Sequence, residues 1–64
     1  MQFVAYDWPA VTVFEQTAGG WRSKWSLGED RWTHLTDEDA RRKVAAMAAV
    51  GWSFADARRD GFPF

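Results

Sequence analysis

The chain has no cysteine, so disulfides and thiolate metal sites are excluded, and its single histidine, His34, cannot build a zinc site by itself. Isoleucine and asparagine are also missing, and two lysines stand against six arginines. With abundant alanine, that bias fits GC-rich codons and suggests a source in a GC-rich bacterium or a phage infecting one. No apolar run approaches the ~18 residues of a membrane span. Met1 to Asp7 lacks a basic region followed by an apolar core, so no secretory signal is expected. The expected location is therefore the cytoplasm, that of the host if the source is a phage. A formal net charge of −1 gives no global attraction to nucleic acid or to anionic lipid.

What the chain does have is aromatic surface. Five Trp and five Phe in 64 residues supply rings that bury roughly 150–250 Å² each. A domain of this size buries only about 60% of its unfolded surface. Without a disulfide or metal, it must rely on dense packing or on a partner.

Phe3 to Tyr6 is a short apolar run interrupted at Trp8-Pro9, where the chain should bend or lie at a sheet edge as an N-terminal arm. Ala10 to Thr17 is rich in strand formers, and Ala18-Gly19-Gly20 follows as a hairpin turn. With Gly19-Gly20 as the loop, Phe14, Trp21, Trp25 and Leu27 share one face. Glu15, Thr17, Arg22 and Lys24 share the other, with Glu15 opposite Lys24 and Val13 as an apolar outlier. A second turn at Glu29-Asp30 adds Trp32 and His34 to the aromatic face and Arg31 and Thr33 to the polar one.

Thr36 is an N-cap with Asp39 three residues on, a shorter form of the capping box. Asp37, Glu38 and Asp39 fall in the first turn and stand four residues before Arg41, Arg42 and Lys43. Gly51 reads as the left-handed terminator, with Trp52 folding back on Met47. The stripe Ala40, Val44, Met47, Ala48 should face the sheet, and the all-apolar stretch Val44 to Val50 predicts cover on more than one side. Trp52-Ser53-Phe54 could add a strand or an extended arm, before the apolar end Phe62-Pro63-Phe64.

The expected fold is α+β: a three-stranded antiparallel meander (10–35) packed on one helix (36–50), flanked by an N-terminal arm or edge strand (1–9) and an extended aromatic C-terminal arm (51–64), all one small domain. No catalytic, metal or nucleotide signature is present. His34 has no nucleophile partner in the pattern, and Ser23 and Ser26 lie in no elbow motif, so no enzyme, cofactor or small-molecule substrate is implied. The expectation is a protein-protein interaction module that binds a larger protein or a second copy of itself. The candidate contacts are Ala45 and Ala49 on the helix flank with Trp52, Phe62 and Phe64 of the arm. Trp8 is the ring expected to be exposed.

The alternative is a DNA-binding accessory domain using Arg22, Lys24 and Arg31 on the outer sheet face. In element order, residues 10 to 50 resemble the small N-terminal arm-binding domains of phage integrases and the plant ethylene-response DNA-binding domains. Both present a three-stranded sheet backed by one helix. The resemblance is one of element order, with no shared motif, and implies contact with the major groove through the exposed face of the sheet.

Overall fold

A computed structural model describes residues 1–28 and 30–56. Five strands and one helix follow in the order β1 (Gln2–Asp7), β2 (Ala10–Thr17), β3 (Gly20–Trp25), β4 (Thr33–Leu35), α1 (Asp37–Ala49) and β5 (Ser53–Asp56). The sheet runs β4-β3-β2-β1-β5, and every neighbouring pair is antiparallel. The architecture is thus α+β, as the sequence implies, but the three-stranded meander is widened to five strands. The first strand is neither an arm nor an edge. It lies between β2 and β5, because Trp8-Pro9 forms the tight β1–β2 turn, through a cis Trp8–Pro9 peptide bond, and proline there interrupts no ladder. The arm expected after Gly51 begins as β5, paired with β1. Phe62 and Phe64 lie outside the described residues.

The β2–β3 hairpin turns at Ala18-Gly19, not at Gly19-Gly20, so Thr17 faces Gly20 and Glu15 faces Arg22 instead of Lys24. Both partners shift together, so the division of faces survives: Phe14, Trp21 and Trp25 still share one side. The next connection does not follow expectation. β3 stops at Trp25, β4 begins only at Thr33, and Trp21 pairs with Leu35 and Arg22 with His34. This odd-numbered offset exchanges the faces of the fourth strand. Leu35 and Thr33 turn toward the helix, and Trp32 and His34 turn away.

The core is an aromatic cluster on the helix side. Phe3 and Phe14 stand opposite one another on neighbouring strands with stacked rings, 4.7 Å between centroids. Trp21 meets Phe3 edge-on at 5.4 Å. Ala5, Ala40 and Val44 complete the buried set, with Leu35, Met47, Trp52 and Phe54 packed against it. The indole N–H of Trp21 donates to the Asp37 carboxylate at 3.1 Å, so the largest buried ring arrives with its polar atom satisfied.

Helix α1 begins as its sequence signals. Thr36 Oγ1 accepts from the Asp39 N–H, and the Asp37–Arg41 and Glu38–Arg42 ion pairs form. The third expected pair does not form: Asp39 meets Arg42 instead, and Lys43 turns inward to donate to Ser23 Oγ. At the other end the Trp52 N–H donates to Met47 O and the Gly51 N–H to Ala48 O, with Gly51 at φ +98°. This is a Schellman closure. At ~1.5 Å per residue, the 13-residue helix is about 20 Å long. Four strand spacings of about 4.8 Å come to nearly the same length. The helix can therefore carry the chain from one edge of the sheet to the other.

The expected second cover of the helix is not found among the described residues: Ala45, Ala46, Ala48, Ala49 and Val50 are exposed. Ala48, expected in the buried stripe, lies outside it. The physical reason is that alanine contributes little apolar area and is the strongest helix former. The run serves propensity more than burial.

Gly20 is placed where any side chain must collide. A β-carbon there would lie 2.5 Å from the Leu35 carbonyl oxygen, and its φ of +147° is one L-residues rarely adopt. Gly19, next in the turn, has nothing within 4 Å of that position. In urea titrations, Gly20→Ala should cost about 1–3 kcal/mol, whereas Gly19→Ala should leave the midpoint nearly unchanged. Phe14→Ala should cost about 3–5 kcal/mol, a large share of the stability available to so small a domain.

Candidate functional site

Strand alternation gives the sheet two unlike faces, only one of which the helix covers. On the open face, cross-strand pairing sets Val4 beside Val13 and Tyr6 beside Val11, at the centre of the sheet. All four are half-buried, with no described element over them. Trp8 is 75% exposed at the β1–β2 turn, its ring 5.8 Å from that of Tyr6. Trp32 is half-buried toward the β4 side, under the Arg22 guanidinium, 4.1 Å from its ring centroid. Apolar β-branched and aromatic side chains thus run across the middle of this face.

Its charges are neutralised locally. Arg22 is ion-paired with Glu15, its Nε donating at 2.9 Å. Lys24 Nζ lies 2.5 Å from the Asp30 carboxylate and 5.6 Å from the Trp32 ring. That hydrogen bond and the ammonium charge hold the Asp30 pKa below its ordinary value.

The basic triad suggested by the sequence is divided. Arg22 and Lys24 share the open face, but Arg31 lines a cleft on the helix side with Trp25 and Thr33. The expected helix-flank contacts are divided too. Ala45 and Ala49 are exposed one turn apart, whereas Trp52 packs against the core. His34, opposite Arg22, faces the open side, while Ser23 is buried beneath the helix, so these two do not form a nucleophile–base pair. Ser26 accepts from the Val11 N–H and acts structurally. Among the described residues, no three carboxylates or imidazoles cluster as a metal site. No described helix is long and apolar enough to cross a membrane.

Sequence reasoning missed Val4 and Tyr6 as surface residues because their strand was not placed inside the sheet, and Val11 because the strand it pairs with was missing from the expected sheet. The available signal was Val13, a valine on the nominally polar face of the hairpin. Trp25 was assigned to the correct side, but it remains 49% exposed because the helix does not reach over it. Comparison with known proteins adds no constraint: no family model matches this chain, and no curated protein or solved structure is significantly similar to it.

The Lys24–Asp30 pair gives a direct test of the charge arrangement. Lys24→Met should raise the Asp30 midpoint toward the ordinary carboxylate value, read by carboxyl-carbon NMR across pH. The pair's contribution to stability is present above the ordinary value and is lost as pH falls through the depressed one. Because Asp30 is fully exposed, added salt should shrink the shift.

Proposed function

We propose that this chain is a non-enzymatic protein-binding module that docks a partner, another protein or a second copy of itself, on the open face of its sheet. The observation that carries this reading is the composition of that face. Val4, Tyr6, Val11 and Val13 form its centre, Trp8 and Trp32 lie at opposite sides, and Arg22 and Lys24 are already matched by Glu15 and Asp30. Protein interfaces are built this way, with an apolar centre rich in Tyr, Trp and Arg and a polar, charge-balanced rim. A solvated antiparallel face ordinarily alternates to polar residues, which this one does not where Val4 and Tyr6 of β1 meet Val13 and Val11 of β2.

The same observation favours protein over nucleic acid. Cations already paired with carboxylates release fewer counterions on meeting phosphate, and Arg31 is not on this face. The helix flank is a weaker platform. Ala45 and Ala49 offer only methyl groups, and Trp52 is engaged with Met47 and the core.

Light scattering on the full chain across concentration tests self-association. Photo-crosslinkers at positions 8 and 13, with a control at position 41, locate the contact in expressing cells. Crosslinks at 8 and 13 but not at 41 are expected. Trp8→Ala should weaken the association about tenfold or more and leave the far-ultraviolet circular dichroism unchanged. A chain that stays monomeric and crosslinks only from the helix, or one that binds duplex DNA with affinity falling steeply in salt, overturns the reading.

A further inference from the structure

On the opposite side of the sheet, the helix leaves one end uncovered, and a cleft opens there. Two adjoining cavities, of about 300 and 250 Å³, share Trp25 and Lys43. The first reaches Arg31 in the β3–β4 loop, and the second reaches Thr12, Met47 and Trp52. We propose that this cleft binds a small planar aromatic carboxylate, its ring between Trp25, Trp52 and Met47 and its anion on Lys43.

Three features point to that chemistry. Trp25 is 49% exposed although it lies on the covered side, so a broad aromatic surface lines the cleft. Lys43 is half-buried. Its ammonium lies 3.4 Å from Ser23 Oγ and 6.0 Å from the Phe14 ring, and no described carboxylate is within ion-pair distance. An ammonium carries three donors, and Ser23 takes one, which leaves capacity for an anion in a partly apolar setting where such a bond is strong. Thr12 is only 3% exposed, and its hydroxyl has no hydrogen-bond partner among the described residues. A buried hydroxyl without a partner is costly, and a ligand oxygen would satisfy it. The volumes, at or below the low end of ligand pockets, suit one or two fused rings.

The test is a titration of the isotope-labelled full chain with 2-naphthoate, its neutral isostere 2-naphthamide, and acetate, followed by amide and indole NMR shifts. Saturable shifts at Thr12 and at the indoles of Trp25 and Trp52 are expected with 2-naphthoate. Binding should be about tenfold weaker with 2-naphthamide and undetectable with acetate. Lys43→Met, which keeps most of the apolar stem and removes the ammonium, should erase the preference for carboxylate over amide, and Lys43→Arg should retain it. Should Lys43→Met fail to fold, Trp25→Leu gives a second reading, with loss of binding by both aromatic probes. Equal binding of the two probes to the unaltered chain, shifts confined to Trp8 and Trp32, or no shift up to about 10 mM, would overturn the proposal. The cleft and the open face lie on opposite sides of the sheet, so failure of one proposal leaves the other standing.

Discussion

Burying a tryptophan is costly unless its indole N–H finds an acceptor, and the placement of Trp21 organises this molecule. The ring lies on the sheet's covered face, near the β2–β3 turn, 2% exposed, against Phe3 and Leu35. Its acceptor is Asp37, the first residue of the helix. Asp37 is therefore held by the indole, by the Arg41 guanidinium and by the positive end of the helix dipole at once. One side chain thus ties the start of α1 to β3, and the direction of the helix over the sheet follows from it. The close passage of Gly20 beneath the Leu35 carbonyl brings the fourth strand up to the same point.

One helix cannot cover a five-stranded sheet evenly. Anchored at the Trp21 end, α1 covers Phe3, Phe14 and Trp21 and leaves Trp25 half in water. Lys43 occupies the boundary: its stem runs along the core while its ammonium reaches Ser23. That explains why the third of three evenly spaced acid–base pairs is not made. A lysine drawn inward to satisfy a buried hydroxyl is not available to the carboxylate one turn back. The uneven cover produces the cleft, and among the described residues cover on one side alone leaves the other face open.

Local chemistry was legible in the sequence wherever one residue type has one physical use. Thr36 and Gly51 delimit the helix as their capping geometry demands, Trp52 folds back on Met47, and Trp8 is exposed. The inward set of the first hairpin also survived a wrong choice of loop, because sliding a turn by one residue moves both strands together. Three features were not legible. Phe3 to Tyr6 is apolar on both sides, so alternation gave no phase by which to place it inside the sheet. The loop after Trp25 has no tight-turn requirement that fixes its length, and an odd offset there exchanged Trp32 with Leu35. The alanine run looked like a buried surface because hydropathy does not separate a residue chosen for burial from one chosen for helix propensity. These errors also moved the candidate surface, since Val4 and Tyr6 come from the strand that the sequence failed to place, and Val13 and Val11 meet their apolar neighbours only once it lies beside them.

Whether apolar residues on that open face reflect strand propensity or recognition can be argued from the residues themselves. Valine and tyrosine are strong strand formers, and propensity alone could explain Val4, Tyr6, Val11 and Val13. Threonine is a strong strand former too and costs nothing in water, and the chain uses it freely at Thr12, Thr17 and Thr33. Thr12 faces the covered side while Val11 and Val13 flank it on the open one. A sequence selected only for a folded, solvated sheet would place those residues the other way round. The inversion is explained if both sides of the sheet are surfaces in use, with polar capacity kept under the helix and apolar area kept outside it.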